Sequence, residues 1–152
     1  MKTVIFDLDG TLADVSHRRR FKDDGSFDWK YFNDPENIKN DTPNKPIIDL
    51  YNHFRLGEKY KSVVLSGRMK DHFDITVDWF RKHVDAYMLI SHTIIMREIG
   101  DYREDYIIKK EMLDNLLSKG HEIAFAIDDR DQIVELWRSL GITCLQCAKG
   151  NF

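Results

Sequence analysis

Two aspartates spaced i, i+2 at the end of a short apolar run constrain this chain more than any other feature. Val4-Ile5-Phe6 reads as a buried strand, and it runs directly into Asp7-Leu8-Asp9-Gly10-Thr11-Leu12. Residues two apart in extended chain point the same way, so Asp7 and Asp9 can aim two carboxylates into one small volume. Their repulsion has to be relieved, either by a cation between them or by a proton on one of them. Gly10 lets the backbone turn away where a side chain would crowd the carboxylates. The simplest competing reading is a strand that ends in a turn rich in Asp and Gly.

Two further apolar runs end in polar clusters. Ser62-Val63-Val64-Leu65 leads into Ser66-Gly67-Arg68, and Ile123-Ala124-Phe125-Ala126-Ile127 leads into Asp128-Asp129. The second run is apolar almost throughout, the pattern of a strand covered on both faces. Ala86 to Ile90 reads as another strand, and Ile142 to Cys147 as the last. Helical patterns lie between them. Pro46 opens one with Ile47, Leu50, Tyr51 and Phe54, closed by Gly57. Phe73, Val77, Phe80 and Val84 mark a second, and Ile108, Met112 and Leu116 a third, from about Asp105 to Ser118. Ile133, Leu136, Trp137 and Leu140 mark a fourth. The segment from Ser91 to Glu104 reads as polar and irregular. Strands alternating with helices predict an α/β fold with a mostly parallel central sheet flanked by helices. In such sheets ligands bind beyond the carboxyl ends of the strands, where the three polar clusters would meet.

A polar stretch from about Asp14 to Lys45 separates the first strand from the first long helix. Its length predicts a small cover, or cap, rather than a passive connector. Phe27, Trp29, Tyr31 and Phe32 crowd it. They form either a base-stacking platform or, as the better expectation, the cap's own small core. At 152 residues, 42% hydrophobic and 32% charged, the chain fits one soluble domain with a real core. A net charge of −3 excludes a global pull onto nucleic acid or membrane, so any polyanion contact needs a local basic patch. No apolar run reaches membrane-spanning length, and Met1-Lys2 leads straight into a strand without a signal peptide. Cys144 and Cys147 sit at i, i+3 on a predicted strand and face opposite ways, as reduced thiols of a cytoplasmic protein do. The six histidines form no ligand spacing.

Four carboxylates at one rim, Asp7, Asp9, Asp128 and Asp129, call for a hard cation. Oxygen-only ligands suit Mg²⁺, which keeps several waters and takes a substrate phosphate as a ligand. Taken alone, Asp128-Asp129 would read as acids at a helix start. Asp7 is the candidate covalent nucleophile for a phosphoryl group and Asp9 the candidate acid/base. Ser66 and the N–H groups after it can hold phosphoryl oxygens, and Lys109 can complete the cradle. Asp105, one turn before Lys109, can hold its ammonium, although such a pair also reads as an ordinary surface pair. Guanidinium forks suit phosphate, which draws attention to Arg18, Arg19, Arg20, Arg68, Arg97, Arg103 and Arg130.

The string Asp7-Leu8-Asp9-Gly10-Thr11-Leu12 resembles the nucleophile motif of the haloacid dehalogenase (HAD) superfamily. With Ser66-Gly67-Arg68, Lys109 and Asp128-Asp129 it resembles the four motifs of that superfamily in order. More narrowly, the chain is similar to the 3′-phosphatase domain of phage polynucleotide kinase-phosphatases. Arg18, Arg97, Gly100-Asp101, Arg103 to Asp105 and the tail Ala126-Ile127-Asp128-Asp129-Arg130, Gln132, Trp137-Arg138, Gly141, Gly150 and Phe152 carry that likeness. The resemblance implies a Rossmann-like HAD fold and an aspartyl-phosphate intermediate on Asp7, with Asp9 as acid/base. It also implies Mg²⁺ held by Asp7, Asp9, Asp128 and Asp129. Thr11, Arg18, Ser66, Gly67 and Arg68 would bind substrate phosphate or its network, with Arg97 and Arg130. Asp105 would orient Lys109.

The implied reaction removes a 3′-phosphate from DNA or RNA ends. There is no G-x-x-x-x-G-K-[ST] loop, so a kinase or ligase would be a separate partner. The segment between Arg18 and Ser66 is longer and more aromatic than the family's small cap, which makes mononucleotides, through a 5′(3′)-nucleotidase activity, the rival substrates. A phosphoacceptor domain of the receiver kind is the alternative of another class. It too gathers acids, a Ser or Thr and a Lys on a parallel sheet.

Overall fold

The computed structural model describes residues 1–84 and 93–152. Among the described residues, five parallel strands form the central sheet: β1 (Lys2–Phe6), β4 (Tyr60–Met69), β5 (Ile94–Arg97), β6 (Ile123–Asp128) and β7 (Cys144–Gln146), in the order β5-β4-β1-β6-β7. Two minor strands, β2 (Ala13–Asp14) and β3 (Thr42–Pro43), pair antiparallel outside it. The chain winds outward from β1 in one direction to β4 and β5. It then returns past β1 to β6 and β7. The reversal puts the end of β1 at the point where connections diverge to either side, leaving a crevice for a ligand.

Alternation along the strands builds two cores. Val4 and Phe6 of β1 face one side, where they meet Ile48 and Tyr51 of α3 (Lys45–Leu56) and Val77 and Phe80 of α4 (Phe73–His83). Ile5 faces the other side with Val63 and Leu65. There it meets Ile108, Met112 and Leu116 of α5 (Asp105–Ser118) and Ile133 and Trp137 of α6 (Asp131–Ser139). The result is the helix-flanked parallel sheet expected from the sequence, and its flanking helices begin close to where periodicity put them. Among the described residues no helix is long and apolar enough to cross a membrane.

Two features differ from expectation. The segment from Ser91 to Glu104 is not irregular throughout, because Ile94–Arg97 forms β5 along β4. Ile94 and Met96 are buried while Glu98, Ile99 and Gly100 beyond the strand are exposed, so a four-residue strand is hidden among exposed neighbours. The strand expected at Ala86 to Ile90 lies outside the described residues. β4 also runs further than its apolar stretch, carrying Ser66-Gly67-Arg68 inside it, with a break in register against β5 between Ser66 and Met69.

The segment between β1 and α3 is tied at both ends by the β2–β3 ribbon. Within it are two single-turn helices, α1 (Trp29–Phe32) and α2 (Pro35–Ile38), each capped by an aspartate side chain, Asp28 and Asp34. Phe27 meets Phe21, Trp29 and Phe32 edge to face, with centroids 4.6 to 5.6 Å apart. Phe32 also packs on the main core. These rings hold the cover together, as edge-to-face pairs do.

Candidate active site

Asp7 leaves the end of β1 with its carboxylate almost fully buried. Its Oδ1 accepts from Lys109 Nζ at 2.7 Å, and its Oδ2 accepts from the Thr11 hydroxyl at 3.0 Å. Lys109, on the second turn of α5, also donates to Asp128 Oδ2 at 2.9 Å. Asp128 ends β6, and its other oxygen accepts the backbone N–H groups of Asp129 (3.0 Å) and Arg130 (3.2 Å). Asp128 therefore plays both parts considered for it: it braces the turn into α6 and it faces the shared pocket. Asp7 and Lys109, 102 apart in sequence, are thus in direct contact.

One carboxylate oxygen each from Asp7, Asp128 and Asp129 lie within 4.8 Å of one another, and all three residues are buried. Burial, and behind it the charge of Asp128, raises the Asp7 carboxyl well above its ordinary range, with Lys109 pulling the other way. The same two causes push Asp129 up to about 6. Burial works to lower Lys109, but Asp128 and Asp7 outweigh it, so the lysine is held firmly protonated. Three buried acids set against one ammonium and the Arg19 guanidinium, which reaches Asp129 at 3.5 Å, remain short of positive charge. An all-oxygen donor set in that condition fits a hard divalent cation such as Mg²⁺.

Gly10 is required here on two counts. Its φ is +87°, and a Cβ would lie 2.1 Å from Asp129 Oδ2. At Gly67 a Cβ would lie 2.5 Å from Asp105 Oδ1, so a side chain there would displace the carboxylate that meets Arg97.

Asp9 sits apart from the other three acids, so its carboxylate is not part of the ion-holding group expected of it. Arg18 donates to Asp9 Oδ1 at 2.9 Å, and Arg68 donates to the same oxygen at 2.9 and 2.6 Å. Burial would raise the Asp9 carboxyl, but Arg68 and then Arg18 overcome it and hold it at about 2. The side chain keeps 21% of its surface open, and every guanidinium contact falls on Oδ1, leaving Oδ2 for another partner.

Both guanidiniums are themselves held by Asp41, a fully buried residue that sequence reasoning missed. Asp41 Oδ1 accepts from Arg18 Nε at 2.7 Å and Oδ2 from Arg18 Nη2 and Arg68 Nη2, each at 2.7 Å. The Asp41 carbonyl accepts the Trp79 indole N–H at 2.8 Å, which fixes its backbone on α4. Arg18 also lies over the Phe32 ring and is completely buried. Arg18 and Arg68 therefore build the support of Asp9, and Thr11 orients Asp7 from beneath, rather than any of the three meeting substrate through an open face.

Ser66 is buried at the end of the apolar part of β4. Its Oγ accepts the Arg68 backbone N–H at 3.2 Å, so its own hydroxyl hydrogen can serve a phosphoryl oxygen.

Two expectations need correction. Asp105 does not spend its carboxylate on Lys109. It takes Arg97 Nη2 at 3.2 Å and Arg130 Nη1 at 3.5 Å, and acts on Lys109 only as a nearby charge. Arg97, expected to bind phosphate, is a loop organiser: it donates to the carbonyls of Gly67 (2.9 Å), Asp101 (3.0 Å) and Arg103 (2.6 Å) and to Asp105. With four of its five N–H groups so engaged it has little left for a ligand.

The family model for the polynucleotide kinase PNKP phosphatase domain matches residues 1–152. A protein of Autographa californica nuclear polyhedrosis virus named as a bifunctional polynucleotide kinase/RNA ligase is 23% identical over 141 residues, which is 93% of this chain and 18% of that protein. A chain in a solved structure of the Pnkp1/Rnl/Hen1 RNA repair complex is 32% identical and superposes with a TM-score of 0.78, covering 99% of this chain and 43% of its own. Class C acid phosphatase from Bacillus anthracis, solved with tungstate bound, shares the fold at 18% identity and a TM-score of 0.61, with 99% of this chain and 67% of that one covered. The chain thus spans less than half of the kinase/ligase relative and of the repair-complex chain it matches.

Proposed function

Since the chain belongs to the polynucleotide kinase PNKP phosphatase-domain family, within the HAD-type phosphatases, we propose that it removes the 3′-phosphate from DNA or RNA ends through an aspartyl-phosphate on Asp7, with Mg²⁺ as cofactor. The observation that carries this reading is the meeting of Asp7 and Asp128 on the Lys109 ammonium, with a carboxylate oxygen of Asp129 within 4.8 Å of theirs, at the carboxyl ends of β1 and β6.

Asp7, Asp128 and Asp129 are the residues that would hold the ion. When bound, it supplies charge neutralisation to the phosphoryl oxygens and lowers the repulsion between an anionic nucleophile and an anionic substrate. An Asp7 carboxylate oxygen forms the new bond to phosphorus as the bond to the 3′-oxygen breaks. Thr11 and Lys109 fix the angle of that carboxylate. Asp9 Oδ2 hands a proton to the departing oxygen. At rest Asp9 is ionised, held at about 2 by its two arginines. A phosphate monoester, whose second ionisation lies near pH 6, brings a proton that can be relayed. In the second step Asp9 takes a proton from water, the water oxygen bonds to phosphorus, and the bond to Asp7 breaks to release inorganic phosphate. The Ser66 hydroxyl and the Lys109 ammonium offer donors to the transferred oxygens.

A polynucleotide kinase or RNA ligase, on the same polypeptide or a separate one, is the partner this reading implies. The names of the viral relative and of the RNA repair complex support that. The test is phosphate release from 3′- and 5′-phosphorylated oligonucleotides and 3′- and 5′-mononucleotides, with Mg²⁺ or EDTA, by wild type and Asp7→Asn. Release from 3′-ends that requires Mg²⁺ and Asp7 is expected. Preference for 5′-mononucleotides would favour the nucleotidase alternative, and a long-lived phosphoprotein the receiver-like one.

A further inference from the structure

At the rim of the pocket the residues after β7 fold back onto the turn between β6 and α6. The Asp131 N–H donates to the Gly150 carbonyl at 2.7 Å. Position 150 has no room for a side chain, because a Cβ there would lie 1.9 Å from the Asp129 carbonyl oxygen. Phe152 is seated next to this anchor, with its carbonyl accepting from Arg130 Nε at 2.7 Å and Gln132 Nε2 at 3.3 Å.

Two guanidiniums approach the Phe152 ring. Arg19 covers it at 4.0 Å and Arg130 approaches it at 5.7 Å. Phe152 nevertheless keeps 45% of its surface open. Neither arginine is used up: Arg19 reaches Asp129 Oδ2 only at 3.5 Å with its side chain 30% exposed, and Arg130 pairs with Asp105 at the same length with 22% exposed. Arg19 belongs to the mouth of the pocket, since a Cβ on Gly10 would meet its Nη2 at 3.0 Å and Asp129 Oδ2 at 2.1 Å.

A flat apolar ring flanked by cations suits one ligand chemistry well: a nucleobase on the ring, with a phosphodiester beside the guanidiniums. A ring at the mouth of the carboxylate pocket is within reach of the penultimate nucleotide of a strand whose terminal nucleotide carries its phosphate into the pocket. We propose that Phe152, Arg19 and Arg130 form a landing surface for the single-stranded nucleic acid leading into the site, so that the chain selects polymer ends over mononucleotides. This rests on the phosphatase reading and adds to it a strand-binding subsite outside the catalytic group. A mononucleotide can fill the pocket without touching the ring. A strand of two or more nucleotides gains the stacking contact.

The test compares kcat/KM for a 3′-phosphorylated single-stranded oligonucleotide and a 3′-mononucleotide, in wild type, Phe152→Ala and Phe152→Trp, with thermal midpoints of all three. Phe152→Ala is expected to lose about tenfold on the oligonucleotide, through KM, as deletion of one stacking ring does. Its mononucleotide kcat/KM should stay within about twofold, and Phe152→Trp should restore the oligonucleotide value. A loss of equal size on both substrates, or none on either, overturns the landing surface while leaving the phosphatase reading intact. A folded wild type inactive on both substrates overturns the phosphatase reading and this inference with it.

Discussion

Lys109→Met removes the ammonium that the buried carboxylates of Asp7 and Asp128 share, beside Asp129, while keeping a side chain of similar length. Lys109 Nζ lies 2.7 Å from Asp7 and 2.9 Å from Asp128, and the side chain is 2% exposed. At an effective dielectric of about 20, each contact carries roughly 6 kcal/mol of attraction before desolvation is counted. Withdrawing three ions from water cancels most of that, which is why the net cost of removing one partner from a buried pair settles near 3–5 kcal/mol. For a chain of this length that corresponds to a fall of about 6–20 °C in the thermal midpoint.

The dependence on pH has a definite sign. A carboxyl whose pKa is raised by folding contributes stability at low pH and loses it as pH rises through the folded value. Asp129 already stands at about 6, and Asp7 is raised well above its ordinary range. Losing the ammonium pushes both further up. The deficit in Lys109→Met should therefore be smaller at pH 5 than at pH 8. Urea unfolding followed by circular dichroism, in EDTA at both pH values, measures it. Millimolar Mg²⁺ at pH 8 should recover part of the loss. A deficit under about 1 kcal/mol at pH 8, or one that grows on acidification, refutes the charge balance described for the pocket.

Asp41→Asn takes the charge from between Arg18 and Arg68, so Asp9 loses the rigidity of its support. With small displacements costing up to about a hundredfold, kcat should fall about 10- to 100-fold with KM changed by less than about threefold. A folded variant with wild-type kcat would show that Asp41 is only a structural filler. Mg²⁺ should raise the thermal midpoint more at pH 7.5 than at pH 5, because below about 6 the ion competes with a proton on Asp129. Equal shifts at the two pH values would place the ion elsewhere.

What could be read from the sequence was whatever lies at a strand end. An apolar run announces its strand, and the polar residues just past it are carried to one edge whatever the loops do. Asp7, Ser66 and Asp128 were legible for that reason, and Lys109 through the spacing of a helix that had to cover the sheet. Asp41 was not. In sequence it is one acid among many in a polar stretch, and only the burial of Arg18 and Arg68, which no local pattern reveals, makes it the counter-charge. Arg97 was misread because β5 is four residues long and its flanks are polar, so the arginine at its end looked like part of an open loop. Asp105 was matched to Lys109 by helical spacing. The preference of its carboxylate for two guanidiniums arriving from β5 and the β6–α6 turn depends on tertiary approach alone.

The knot of Arg18, Asp41, Arg68 and Asp9 has a consequence for how such a protein can diversify. The cover contributes Arg18 and Asp41, the sheet contributes Arg68, and the first motif contributes Asp9. A cover grafted from a relative without a matching acid and arginine would take the Asp41 counter-charge from Arg68 and the Arg18 contact from Asp9. Loop exchange at this position is therefore tied to the proton-handling group, and new substrate ranges are more easily reached by altering the exposed rings of the cover than by replacing it whole.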